Sequence, residues 1–125
     1  MAAVAATAKS YVERNFGKQV ISAAVAFYPA CDNNLAIDKP ANPIQFHVAG
    51  RDTWSPPSPC KDLAKSWGVL DTFYWYDNAT HGFDLPYHTL GNPDANGIRH
   101  RIDFDAEYTA LAKKRTKEFF DKHLR

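Results

Sequence analysis

Residues 21–28 read ISAAVAFY, a run in which apolar residues do not alternate with polar ones and which ends at Pro29. Runs of this kind are typical of a strand that is covered on both faces by other parts of the protein. Residues 44–50, IQFHVAG, have the same character and predict a second strand, and the aromatic residues 73–76, FYWY, predict a third. The segments that flank these strands therefore decide the fold class.

Two helical patterns surround the first two predicted strands. Residues 1–16 carry apolar side chains at three- and four-residue steps, and Gly17 can end that helix in a left-handed conformation. Residues 59–67 show the same spacing between Ser58, a predicted N-cap, and Gly68, a predicted stop. The sequence thus predicts one helix before the first strand and one between the second and third.

The last part of the chain predicts a loop followed by a third helix. Residues 78–101 are mostly polar and predict a long loop, in which residues 99–101, RHR, are expected to face solvent. Asp103 or Asp105 then provides the N-cap of the helix. The residues of this helix that are expected to face the core are Tyr108, Leu111, Ala112, Phe119 and Phe120.

This order of elements predicts an α/β fold, with three layers in which a mostly parallel sheet is flanked by helices on both faces. At 125 residues the chain has the length of a single domain, residues 1–125. In parallel sheets of this kind ligands bind beyond the carboxyl ends of the strands. Functional residues are therefore expected soon after Tyr28, Gly50 and Tyr76.

Composition and charge indicate which partners are improbable. A formal net charge of +1, without a long run of like charge, offers little attraction to phosphate backbones or anionic lipid, so neither nucleic acid nor a membrane is an expected partner. No signal peptide or membrane-spanning segment is recognised, which makes the cytoplasm the default expectation. His88, His100 and His123 lack the spacing of metal ligands, and His47 is expected to be packed or paired, so no metal or other cofactor is predicted.

An acid and a histidine follow the second and third predicted strands. Residues 50–57 read GRDTWSPP and contain Asp52, and residues 79–83 read ATHGF and contain His81. They occur in the order of the second and third members of a nucleophile, acid and histidine triad of α/β hydrolases. Asp52 would orient His81, and His81 would serve as the general base. Taken singly, a turn-forming aspartate and a loop histidine bonded to backbone are the alternatives.

These segments, with residues 23–29, AAVAFYP, and Cys60, resemble the dienelactone hydrolase family of α/β hydrolases. The resemblance covers nearly all of the chain but only about the C-terminal half of the family's domain. It implies hydrolysis of ester or lactone bonds, with Asp52 as the family's acid and His81 as its histidine. Typical dienelactone hydrolases have an arginine soon after the histidine for the substrate carboxylate, whereas this chain has Asp84, so a lactone acid is not the expected substrate.

The resemblance also shows what this sequence lacks. Family members carry their nucleophile in a Gly-x-Cys-x-Gly or Gly-x-Ser-x-Gly turn just before the helix that corresponds to residues 1–16, and no such motif occurs here. No N-capping residue precedes Met1, so we expect a truncated α/β-hydrolase fold whose first helix was part of a longer segment. Two hypotheses follow: a hydrolase whose nucleophile comes from a second polypeptide or a swapped chain, and a catalytically inactive remnant that folds and self-associates.

The remaining candidate residues each have two interpretations. Cys31 follows the first strand and is either a substitute nucleophile or the disulfide partner of Cys60, and the disulfide or two inert thiols are favoured. Trp54 and Phe83 either line a substrate pocket or pack in the core. Ser55 is expected to be a turn residue.

The first predicted strand also bears on assembly. In the full fold that the resemblance implies, the strand from Ser22 to Phe27 has a neighbour on each side, and this sequence lacks one of the two neighbours. An apolar edge strand with unpaired backbone groups tends to pair with another copy. The sequence therefore predicts a homodimer or a larger oligomer.

Overall fold

A parallel sheet of three strands lies at the centre of the computed structural model, which describes residue 14 and residues 21–31, 39–40 and 42–124. The strands are β1 (Ala24–Phe27), β2 (Ile44–Ala49) and β3 (Phe73–Tyr76), in the order β1-β2-β3. All three predicted strands are confirmed, although β1 is shorter than the run that predicted it. The helix predicted over residues 1–16 lies outside the described residues, except for Arg14, which is helical.

Strand β2 forms the core, because all six of its residues are buried. Its side chains alternate between the two faces of the sheet. On one face Ile44, Phe46 and Val48 pack against helix α1 (Ser58–Trp67). On the other face Ala49 belongs to a cluster that includes Ala112 of helix α2 (Ala106–His123). The two helices therefore cover opposite faces, as the sequence predicted.

The helix boundaries agree with the sequence except at the start of α1. Ser58 is the first residue of α1 and does not cap it, because the Pro57 carbonyl already accepts the amides of Cys60 and Lys61 and closes the first turn. The N-cap prediction for Ser58 is thus wrong by one position. Gly68 ends α1 with φ +70°, as predicted, and the Asp105 carboxylate caps α2 by accepting the amide of Tyr108 at 2.8 Å.

The long loop predicted over residues 78–101 is wrong, since it contains most of a β-hairpin. Strands β4 (His88–Pro93) and β5 (Arg99–Asp103) pair antiparallel, and Asp94 shapes their turn by accepting the amides of Asn96 and Ile98. The amide of Ile98, followed by His100, lowers the pKa of the Asp94 carboxyl. Most side chains of the hairpin are exposed, so its sequence lacks the apolar run by which buried strands are recognised.

Neither of the described helices combines the length and the apolar character that a bilayer-spanning segment needs.

His47 stands at the middle of a buried polar network on the α2 side of β2. Its ring is fully buried, its Nδ1 atom lies 2.8 Å from the Tyr76 hydroxyl, and its Nε2 atom lies 2.8 Å from Oε1 of Gln45. A neutral imidazole with its proton on Nε2 satisfies both contacts, since the Arg115 guanidinium donates to the same Tyr76 oxygen. Burial, and secondarily the Arg115 charge, lowers the pKa of His47 to about 4. The expectation that His47 is packed and paired is confirmed.

This lowered pKa predicts a loss of stability in mild acid. In the unfolded chain a histidine takes up a proton near pH 6.5, whereas His47 in the folded protein does so only near pH 4. The stability that depends on neutral His47 is therefore fully present above pH 6.5 and is lost as the pH falls below that value. Between pH 7.5 and pH 5 we expect this group to remove about 2 kcal/mol from the free energy of unfolding. Urea denaturation followed by circular dichroism at both pH values measures it.

The control for this prediction is His88, which is exposed whereas His47 is buried. His47→Gln should flatten the pH dependence, whereas His88→Gln, at an exposed site, should leave it unchanged. An equal slope in wild type and His47→Gln would contradict the assignment.

Candidate active site

The acid and the histidine are brought together because the loops after β2 and β3 run side by side. The amide of Gly50 donates to the Tyr76 carbonyl at 2.8 Å, and the amide of Arg51 donates to the Ala79 carbonyl at 2.9 Å. The close approach requires glycine, because a Cβ atom on Gly50 would lie 2.6 Å from the Asp77 carbonyl oxygen. These contacts place Asp52, one residue after Arg51, and His81, two residues after Ala79, on neighbouring segments at the carboxyl edge of the sheet.

Asp52 and His81 form a hydrogen-bonded pair. Nδ1 of His81 lies 2.8 Å from Oδ2 of Asp52, whose side chain is fully buried. The other carboxylate oxygen, Oδ1, accepts the backbone amides of Trp54 and Ser55, both at 2.8 Å. Two amide donors fix the carboxylate and leave Oδ2 directed at the imidazole. Ser55 thus lies in a turn organised by Asp52, as predicted.

The second nitrogen of His81 remains available for chemistry. The Asp52 carboxylate can only accept a hydrogen bond from Nδ1, so the ring proton of neutral His81 lies on Nδ1 and Nε2 carries the lone pair. Among the described residues Nε2 has no hydrogen-bond partner, and the side chain is 19% exposed. A partly exposed imidazole is therefore backed by a buried carboxylate, which is the arrangement of a general base and its orienting acid.

The turn that follows His81 is held by a second glycine and by the hairpin. Gly82 has φ +66°, and a Cβ atom there would lie 2.9 Å from Leu85 and 3.0 Å from Ile102 of β5. On the other side of the histidine, the Thr80 hydroxyl accepts the amide of Asp103 at 2.8 Å. Strand β5 thus supports the histidine loop on both sides of His81.

A family model described as the dienelactone hydrolase family matches residues 8–124 of the sequence, nearly its whole length. The chain belongs to the dienelactone hydrolase family. Membership implies an α/β-hydrolase fold and a hydrolase of the dienelactone hydrolase type, and the small parallel sheet with its flanking helices is compatible with that fold. Among curated proteins no match to the chain is found.

In this dienelactone hydrolase family member, two aromatic rings pack against the imidazole of His81. The ring of Tyr28 lies 4.4 Å from it between centroids, and the ring of Trp54 lies 5.0 Å from it. Tyr28 follows β1 with φ +36°, a conformation that is unusual for a residue with a side chain and that is found preferentially at functional sites. Tyr28 is not among the predicted site residues, although its place at the carboxyl end of a strand is a usable signal.

Asp84 holds the tyrosine in place. The Tyr28 hydroxyl donates to Oδ1 of Asp84 at 3.1 Å. Desolvation, followed by the charge and the hydrogen bond of Asp84, raises the pKa of Tyr28 to about 12, so the phenol stays neutral throughout the range in which a histidine titrates. Asp84 is the residue at which the sequence departs from typical dienelactone hydrolases, and here it positions an aromatic neighbour of the histidine.

A second histidine supports Trp54 from the hairpin. The Trp54 ring stacks on His100 at 5.4 Å, with an interplanar angle of 16°. Nδ1 of His100 lies 3.0 Å from the Thr53 hydroxyl, and Nε2 lies 3.1 Å from Oδ2 of Asp94. The prediction that residues 99–101 all face solvent is therefore wrong for His100, which is buried because strand alternation turns it towards the Asp52 loop.

The structure places the remaining predicted residues as follows. Trp54 is 58% exposed beside His81. Phe83 is fully buried and packs against Tyr28 and Tyr76, which corresponds to its alternative interpretation as a core residue. Cys31 and Cys60 are joined in a disulfide, so neither sulfur is a free thiolate in this structure. Among the described residues no group of three or more His, Cys, Asp or Glu side chains is arranged to hold a metal ion.

The geometry of the pair predicts what an amide in place of the carboxylate would do. In Asp52→Asn the side-chain oxygen would remain with the amides of Trp54 and Ser55, so the NH2 group would face Nδ1 of His81. Nδ1 would then have to accept, and the ring proton would move to Nε2, the wrong nitrogen for a general base. Nitrogen-15 spectra of the histidine rings at pH 8 report the tautomer directly.

Asp94→Asn is the matched control, because it alters the partner of His100 in the same way. His81 should keep its proton on Nδ1 in wild type and in Asp94→Asn, and should move it to Nε2 in Asp52→Asn. Identical His81 spectra in wild type and Asp52→Asn would contradict the described pair.

Proposed function

We propose that this protein hydrolyses ester or lactone bonds, with Asp52 as the orienting acid and His81 as the general base. The observation that carries the proposal is the 2.8 Å contact between Nδ1 of His81 and the buried Asp52 carboxylate, together with the Nε2 atom of this partly exposed ring, which has no hydrogen-bond partner in the described part of the chain. Membership of the dienelactone hydrolase family supports acyl chemistry at this pair.

In the proposed reaction Nε2 of His81 takes a proton from a hydroxyl or thiol nucleophile, whose oxygen or sulfur bonds to the carbonyl carbon of the substrate. The resulting tetrahedral intermediate expels the alkoxide, which leaves as an alcohol when Nε2 returns the proton. Water then repeats the sequence on the acyl group and releases the acid. Asp52 stays ionised throughout and stabilises the imidazolium that forms twice in each cycle. The rings of Tyr28 and Trp54 contact the imidazole and restrict its movement.

The nucleophile is proposed to come from outside residues 1–125. The sequence contains no Gly-x-Ser-x-Gly or Gly-x-Cys-x-Gly motif, and the disulfide removes Cys31 as a thiolate. A second polypeptide would supply it beside Nε2. Among the described residues that nitrogen has no hydrogen-bond partner, so its lone pair can accept a proton from such a group.

The substrate is proposed to be a neutral ester or lactone. Asp84 accepts a hydrogen bond from Tyr28, and the ring of Tyr28 contacts His81. The negative charge of Asp84 on this side of the site repels an acidic substrate. The exposed Trp54 ring offers an apolar surface for the acyl or alcohol group beside the histidine.

A direct test is the hydrolysis of a short-chain neutral aryl ester at pH 7.5 by the protein purified from its own cells together with any polypeptide that stays bound to it. Loss of a general base typically costs about 10²- to 10⁴-fold, so Asp52→Ala and His81→Ala should fall towards the uncatalysed rate. Asp62→Ala, which removes a carboxylate at an exposed position of α1, is the control and should retain most of the activity. Wild-type hydrolysis no faster than that of His81→Ala would remove the enzyme proposal for this chain.

The second candidate is a catalytically inactive protein that self-associates, and strand β1 favours it. Among the described residues β1 pairs only with β2, so its other edge has no strand partner in that part of the chain. An edge that presents free amide and carbonyl groups can pair with the same edge of another copy.

Sedimentation velocity at micromolar concentrations tests this association, and a homodimer or larger oligomer is expected. Lysine at a strand edge opposes pairing, so Ser22→Lys, at an exposed position just before β1, should shift the population towards monomer. Ser58→Lys, at an exposed position of α1, is the control and should not. A strictly monomeric wild type would argue against the candidate.

A further inference from the structure

A cavity of about 530 Å³ opens between the Asp52 loop and the β4–β5 hairpin. Three arginines line it: Arg51 from the loop, and Arg99 and Arg101 from β5. Because residues two apart in a strand share a face, the alternation that buries His100 directs Arg99 and Arg101 to the same side. The fold thus gathers three guanidinium groups from two separate segments of a chain whose net charge is only +1.

The positive charge of this cavity is only partly neutralised. Arg99 donates from its Nε to the Gly91 carbonyl at 2.8 Å and from a terminal nitrogen to the Leu90 carbonyl at 3.2 Å, so neutral backbone oxygens fix its guanidinium without cancelling its charge. Within the described part of the chain, neither Arg51 nor Arg99 has an acidic side chain at ion-pair distance.

Two carboxylates lie close to the arginines, and both have other partners. Arg101 contacts Oδ1 of Asp103 at 3.4 Å, an oxygen that His88 also approaches, at 3.2 Å. Asp52 is the acidic residue in the cavity lining, but its side chain is fully buried and its oxygens are taken up by two amides and His81. The lining therefore keeps an excess of positive charge.

We propose that this cavity binds a phosphate group. Guanidinium groups bind tetrahedral oxyanions through paired N–H donors, and a dianion gains more from several converging positive charges than a singly charged carboxylate does. The cavity volume exceeds that of phosphate alone, so a phosphorylated small molecule fits as well as free phosphate. His81 does not line the cavity, and the proposal holds whether or not the Asp52–His81 pair is catalytic.

The test is a calorimetric titration at pH 7.5 and constant ionic strength with three ligands: inorganic phosphate, glycerol 3-phosphate and acetate. Phosphate is expected to bind more tightly than acetate. Removal of charge-assisted hydrogen bonds in Arg51→Gln/Arg101→Gln should raise the dissociation constant of phosphate about tenfold or more. Lys113→Gln/Lys114→Gln removes the same charge from the exposed face of α2 and should leave the constant within about twofold of wild type.

The titration also identifies the form of the ligand. Binding of both phosphate and glycerol 3-phosphate assigns a phosphate ester, and binding of inorganic phosphate alone assigns the free anion. The backbone amide resonances of Thr53, Thr80 and Leu90, which line the cavity, should shift in the wild-type protein when phosphate is added. If the arginine variant does not fold, these shifts test the proposal in its place. Phosphate affinity no higher than that of acetate, or unchanged in the arginine variant, would overturn the proposal.

Discussion

The candidate site depends on two backbone hydrogen bonds that join the loops after β2 and β3. The amides of Gly50 and Arg51 donate to the carbonyls of Tyr76 and Ala79, and they continue the pairing of the two strands beyond the last residues of the sheet. A side chain at position 50 would push these loops apart. Without this continuation the carboxylate and the imidazole would lie at the ends of adjacent strands with no fixed distance between them.

The hairpin gives a second set of supports to the same loops. Through Thr80 it holds the segment that carries His81, and through His100 and Thr53 it holds the segment that carries Asp52. One exposed ribbon thus fixes the acid and the base relative to each other. A buried charged group is stable in a protein only if its hydrogen bonds are satisfied, and here the backbone amides of the loop supply those bonds to the Asp52 carboxylate.

The central sheet and the Asp52–His81 pair were predictable from the sequence because each leaves a local signal. Buried strands of a parallel sheet are continuous apolar runs, and the carboxyl ends of such strands are where functional side chains occur. The hairpin left no such signal, since its two faces are mostly polar and its stability comes from pairing and from the Asp94 turn. His100 and Tyr28 were missed for a related reason. His100 contacts Trp54, and Tyr28 contacts His81. In both pairs the two residues are distant in sequence and become adjacent only through the tertiary fold.

The disulfide between Cys31 and Cys60 ties the segment after β1 to the start of α1, and both residues are buried, at 5% and 0% exposure. A thiol–disulfide exchange reaction requires a thiolate to reach one of the sulfur atoms. In the closed fold both cysteines are buried, so reduction of this bond requires the segments packed around it to open first. Once exchange with the reductant is faster than reclosing, the rate of reduction equals the rate at which that face of the sheet opens. The rate then no longer depends on the concentration of reductant.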